Sequence, residues 1–161
     1  MKHFINEYEY TSDIISEGVR AWWQKKFKNG YIAMLIIMVL ILLLSLSEKR
    51  LGFLILELIP LLLVILFKLK ENRAIQIEQE KMKVIFQNTV PVLHVALGQE
   101  VHVITTKNET HVAFSDIEDF IETKNLIVLL LKGSLTVALS KNGFKEGSAE
   151  ECIAFLKENI K

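Results

Sequence analysis

A single cysteine, Cys152, stands in 161 residues. One thiol cannot close an internal disulfide, so the chain carries no covalent staple and suits a reducing compartment. No Gly-rich phosphate loop, nucleophile elbow or kinase signature occurs, and Gly143 and Gly147 flank Lys145 without P-loop spacing. HExxH and paired Cys/His spacings are missing too, which leaves a metal only His94, His102 and His111, with Glu100 and Glu109 nearby. Three of these would have to converge at about 2 Å on one ion. On neighbouring predicted strands and without a metal-ligand motif, they are read as surface histidines, and no metal or other cofactor is expected. An excess of positive charge is also lacking. The nineteen basic and nineteen acidic side chains cancel, and from Ala74 onward twelve acids oppose nine bases. That balance repels phosphate, which excludes nucleic acid and argues against phosphoinositide-like headgroups. The chain is expected not to be an enzyme, and no small-molecule substrate is evident.

What is abundant is apolar surface, 51% of the residues, concentrated in two blocks: "YIAMLIIMVLILLLSLS" (31–47) and "LGFLILELIPLLLVILF" (51–67). A helix of either length reaches about 26 Å, near the lower limit for crossing a hydrocarbon core of about 30 Å. Lys28, Tyr31, Lys49, Arg50 and Lys68 at the ends can extend each span toward water. Two helices apolar on every face would leave about 90 residues to cover them in a soluble core, so lipid is the expected surrounding. Only Glu48 to Arg50 separates the blocks, which predicts a tight antiparallel hairpin. Arg20, Lys25, Lys26, Lys28, Lys68, Lys70 and Arg73 flank its open end, against Lys49 and Arg50 in the turn, placing both termini in the cytoplasm. Ser45-Leu46-Ser47 has the form of a signal-peptidase site. The acids Glu7, Glu9, Asp13 and Glu17 upstream argue against cleavage, because a signal peptide opens with a short basic stretch.

Four regions follow. Residues 1–29 are the region of an amphipathic interfacial helix, capped by Thr11 or Ser12, with Ile15, Val19, Trp22, Trp23 and Phe27 on one stripe and Ser16, Arg20 and Gln24 opposite. Trp22 and Trp23 beside Lys25, Lys26 and Lys28 suit the headgroup layer of the lipid bilayer, the alternative being that the stripe packs on the cytosolic domain. Residues 30–67 are the hairpin, with spans at about 31–47 and 51–67. Residues 68–90 contain no Gly or Pro and are predicted to continue as a helical linker. Residues 91–161 carry short β-rich runs, "VLHVAL", "EVHVITT", "THVAF", "IEDFIET", "LIVLLL" and "LTVALS", separated by turn formers. They end in a helix with Ser148 and Glu151 in capping-box spacing and Ala149, Cys152, Ile153, Leu156 and Ile160 on one face. The fold class is thus a membrane α-helical hairpin plus an α+β cytosolic domain, its small antiparallel sheet capped by the C-terminal helix.

The stretch "VAFSDIEDFIETKNLIVLLLKGSLTVALSKNGF" and the capped helix after it resemble the C-terminal region of the YcxB-like family of small bacterial membrane proteins. The similar pieces are Phe114 to Ile117, Glu122 to Asn125 and Lys141 to Phe144; one departure is Ser140, where the family usually has proline. The resemblance implies a pleckstrin-homology-like partial barrel in the bacterial cytoplasmic membrane and transfers no catalytic residue.

Two further features bear on function. Glu57 lies inside the second apolar block, where a carboxylate costs about 2.5–3.5 kcal/mol near a span's centre. Pro60 removes a backbone donor nearby. Together they form a candidate intramembrane contact for another helix, in a homo-oligomer or a foreign peptide. Asp116, Glu118, Asp119 and Glu122 form an acidic edge, a candidate docking surface for a basic partner. The expected function is protein–protein interaction by a membrane-anchored, non-enzymatic protein; the alternative is an immunity protein that blocks a membrane-active bacteriocin or pore-forming toxin.

Overall fold

The computed structural model describes residues 3–48, 58–105 and 108–160. Its first element was not anticipated. Phe4–Glu9 is a strand, β1, which pairs antiparallel with β2, Val92–Leu97, from Phe4 opposite Leu97 to Glu9 opposite Val92. Phe4 and Tyr8 alternate inward, but the third inward position is Asn6, a polar residue that disguises the period. The β domain therefore does not begin at residue 91: β1 is one of its strands, and the helix within region 1–29 starts at Ser12, where Thr11 or Ser12 was expected to cap it. Everything between β1 and β2 is an insertion between two neighbouring strands. The Tyr10 N–H donates to the Pro91 carbonyl at 2.8 Å, closing the base of that insertion.

Beyond β2 come β3 (Glu100–Ile104), β4 (Glu109–Ala113), β5 (Ile117–Glu122), β6 (Leu126–Leu131), β7 (Leu135–Ser140) and β8 (Phe144–Glu146). They form two antiparallel sheets, of order β4-β3-β2-β1-β8 and β5-β6-β7. The two share one core: Phe4, Val95, Leu97 and Val101 from the first meet Ile127, Leu129, Leu131 and Leu139 from the second. β1 also joins the sheets through side chains. Asn6 Nδ2 donates to the Ser140 carbonyl at 2.7 Å, the Ser140 N–H donates to Asn6 Oδ1 at 2.9 Å, and Tyr8 OH donates to the Ala138 carbonyl at 2.7 Å. The Asn6 amide, wholly buried, satisfies both its donor and its acceptor in this way. Proline at 140 could not supply that N–H.

The C-terminal helix α3, Ala149–Asn159, closes the core with Cys152 and Leu156 and carries both bonds of the capping box between Ser148 and Glu151. Gly147 precedes it at φ +75°, and a Cβ there would strike the Phe4 ring, so the turn into α3 requires glycine twice over.

Two long helices occupy the insertion. α1, Ser12–Glu48, is one unbroken helix that joins the N-terminal segment to the first apolar block; α2 runs from Leu58 to Ile85 without a break at the predicted linker boundary. Gln87 and Asn88 then adopt positive φ, of 54° and 61°, and turn the chain into β2. The helices run antiparallel: Ser16 meets Gln79, Arg20 meets Glu71, and Phe27 and Tyr31 meet Phe67. α1 is long and apolar enough to cross a membrane by length and composition, and its Leu35 and Leu43 are 64% and 57% exposed. The apolar end of α2 is described from Leu58, and Leu62 is likewise exposed.

Candidate functional site

Helical phase assigns α1 two working faces. Ser12, Ser16, Arg20, Trp23, Phe27 and Tyr31, spaced by three or four, face α2. Ile14, Glu17, Ala21 and Lys25, also spaced by three or four, face the three-stranded sheet. Ser16 and Arg20, opposite the apolar stripe, form part of the seam with α2, and Arg20 stays more than half exposed there. The stripe assigned to lipid is covered in part by protein: Ile15 is buried, and Val19, Trp22, Trp23 and Phe27 are half-buried.

On the sheet face, Ala21 packs on Leu126 and Val128. β6 is therefore dry on both sides: Ile127, Leu129 and Leu131 point into the common core while Leu126 and Val128 lie under α1. This is why its sequence is an unbroken apolar run without alternation. One turn of α1 before Ala21, Glu17 accepts from the Asn125 N–H and Nδ2, both at 2.9 Å, and from the Thr123 hydroxyl. Partial burial alone would raise the Glu17 pKa, but these donors and Lys124 outweigh it and hold the carboxyl below its ordinary value of 4.5. One turn after Ala21, Lys25 Nζ lies 2.6 Å from Asp119, whose pKa is likewise lowered, the bonds from Lys25 and the Phe120 N–H overcoming burial.

On the α2 face, Glu71 is buried to 2% exposure with Lys68 Nζ at 2.9 Å and Arg20 Nε at 3.8 Å. Both cations are more than half exposed, so the carboxylate is neutralised by charges that keep their own hydration. Just beyond it, Trp23 stacks on Phe27 with ring centres 4.6 Å apart, and Phe67 packs against Phe27 and Tyr31. Lys26 sits 4.4 Å from the Trp22 ring centre, within cation–π range. The tryptophan and lysine collar thus coincides with the junction between the β domain and the exposed apolar helices. A groove of about 440 Å³ runs along it between α1, α2 and β7, with Trp22 and Trp23 on one wall and Leu135 and Ala138 on the other.

The other sequence-derived sites separate. Three of the four acids of the proposed docking edge face lysines of the same chain: Asp116 to Lys132 at 3.0 Å, Asp119 to Lys25, and Glu122 to Lys141 at 2.8 Å. Lys141 lowers the Glu122 pKa. Glu118 is exposed beside Trp22, Lys25 and Lys26. Glu57 lies outside the described residues, and Pro60 is buried in α2. Cys152 is wholly buried and its thiol is pushed up to about 12, an un-ionised apolar group at neutral pH. The structure does bring Glu100, His102 and His111 together on the outer face of the five-stranded sheet. No family model, curated protein or solved structure matches the chain.

Proposed function

We propose that the chain is a non-enzymatic bacterial membrane protein whose pleckstrin-like domain, held at the cytoplasmic surface by α1 and α2 as a two-span hairpin, works by contacting another protein. One observation carries this reading. No flexible linker separates α1's apolar half from the half that covers β6, so the domain is fixed relative to the collar of Trp22, Trp23 and Phe27. A rigid mount of this kind suits presentation of a surface at a set height above lipid, where tryptophan rings and lysine side chains gain most. The excess of Lys and Arg at the open end of the hairpin supports cytoplasmic termini, and the inert state of Cys152 removes the only thiol as a nucleophile.

The test combines topology with crosslinking in living cells. A photo-crosslinking residue at Glu118 or Leu135 should capture a discrete protein partner, and a tag after Lys161 should be protected from external protease. A tag cut from outside, or a chain recovered in the soluble fraction after detergent-free lysis, would overturn the proposal. Protection against a membrane-active toxin that is lost in Glu57→Leu would move the function to the self-protection class.

A further inference from the structure

All four histidines of the chain stand on the outer face of the five-stranded sheet, each beside a glutamate: His3 with Glu146, His94 with Glu7, His102 with Glu100 and His111 with Glu109, at 3.2 to 3.5 Å. Exposed pairs of this kind contribute little singly. One place on the face is different. His102 and His111 are directly opposite each other in the β3–β4 register, with ring centres 4.3 Å apart. Glu100, two residues before His102 on the same face, completes a trio whose donor atoms all lie within 4.8 Å of one another.

We propose that this trio is a binding site for one divalent transition-metal ion of the zinc class. Two imidazoles and a carboxylate are a borderline donor set that selects such ions over magnesium or calcium. In a tetrahedral site with bonds of about 2.1 Å, two ligand atoms sit roughly 3.4 Å apart; His102 Nε2 and Glu100 Oε2 are already 3.5 Å apart. Glu109 Oε1 lies 3.2 Å from His111 Nε2, in reach to accept an N–H there and leave Nδ1 for the ion. A carboxylate supporting a metal-bound imidazole works in this manner. The backbone under Glu100 and His102 is held on both sides, and His111 lies on the edge strand β4. β3 is paired with β2 and β4, and the turn after it is closed by the Thr105 N–H to the Asn108 carbonyl at 2.8 Å and the Asn108 N–H to Thr105 Oγ1 at 2.9 Å. The ion has to draw together only exposed side-chain ends, and three protein ligands leave a fourth position for water or for a donor from another molecule.

The test uses the untagged full chain in lipid nanodiscs, titrated with Zn²⁺ by calorimetry and with Co²⁺ by visible absorption. One ion should bind per chain, with the intense Co²⁺ spectrum of a four-coordinate site. His102→Asn and His111→Asn should each weaken binding at least tenfold, and Glu109→Gln by a smaller factor. His94→Asn, equally exposed and equally beside a glutamate, should leave it unchanged. Circular dichroism checks that each variant is folded. Equal weakening by His94→Asn, unaltered binding in the His102→Asn/His111→Asn double variant, or no binding to the wild-type chain would overturn the proposal.

Discussion

The two sheets are built from similar antiparallel hairpins but treat their second faces in opposite ways. The five-stranded sheet is dry inside and turns histidines and glutamates outward, so its strands alternate. The three-stranded sheet has no wet face at β6, because α1 lies on it. The difference shows that α1 packs on the domain over its first turns and carries exposed apolar side chains over its later ones, and that β6 is its seat in the domain.

The largest contrast is expected from polarity. Val128→Asp, under α1, should destabilise the domain by at least about 3 kcal/mol and yield little folded protein, since it buries an unpaired charge. Ile104→Thr, on the outer face and 41% exposed, should stay within about 0.5 kcal/mol. Urea unfolding of the two variants side by side measures the gap. Next comes the bridge between the sheets: Asn6→Ala removes the acceptor of the Ser140 N–H, while the Ser140 carbonyl keeps the Gly143 N–H, and should cost about 1–3 kcal/mol, read from the urea midpoint.

Within α1 the two apolar surroundings separate neighbouring small residues. Ala21→Leu should overpack the contact with Leu126 and Val128 and cost about 1–3 kcal/mol. Gly18→Ala meets nothing within 4 Å and should stabilise by about 0.5–1 kcal/mol through helix propensity. Thermal melts in the same lipid or detergent compare them.

The smallest effect is acid dependence. Because folding lowers the Glu17 pKa, the stability from its bonds to Thr123 and Asn125 is fully present above about pH 4.5 and is lost as pH falls through the folded value. Glu17→Gln should lower the stability plateau above about pH 4.5 and flatten the acid limb below it, because the contribution that acid would remove is already gone. An unchanged acid limb would mean that Glu17 does not hold α1 to the β5–β6 turn.

How much of this was legible follows from the range of each signal. The capping box of α3, the six longer strand runs after residue 91 and the apolar character of α1 depend on local spacing, and they appear where sequence put them. β1 was hidden because its central inward residue is Asn6, whose partner lies 134 positions away. The sheet-facing side of α1 was hidden because Ala21 carries little hydropathy and Glu17 and Lys25 are charged, and the seam with α2 was hidden because the partners of Arg20 and Ser16, Glu71 and Gln79, lie on a helix distant in sequence. The unbroken "LIVLLL" run was an available sign that β6 is covered on both faces. The metal-ligand trio needed the β3–β4 register, which the turn residues between the strands do not specify.

The most direct test of the shared role of α1 is thiol reactivity in the bilayer, for which buried Cys152 gives little background. Cysteine at position 21 should resist a water-soluble maleimide and a lipid-dissolved quencher until the domain is denatured, while cysteine at exposed position 24 reacts at once. Equal labelling at the two positions, or ready access from lipid to position 21, would mean that α1 lies in the headgroup layer instead of covering β6.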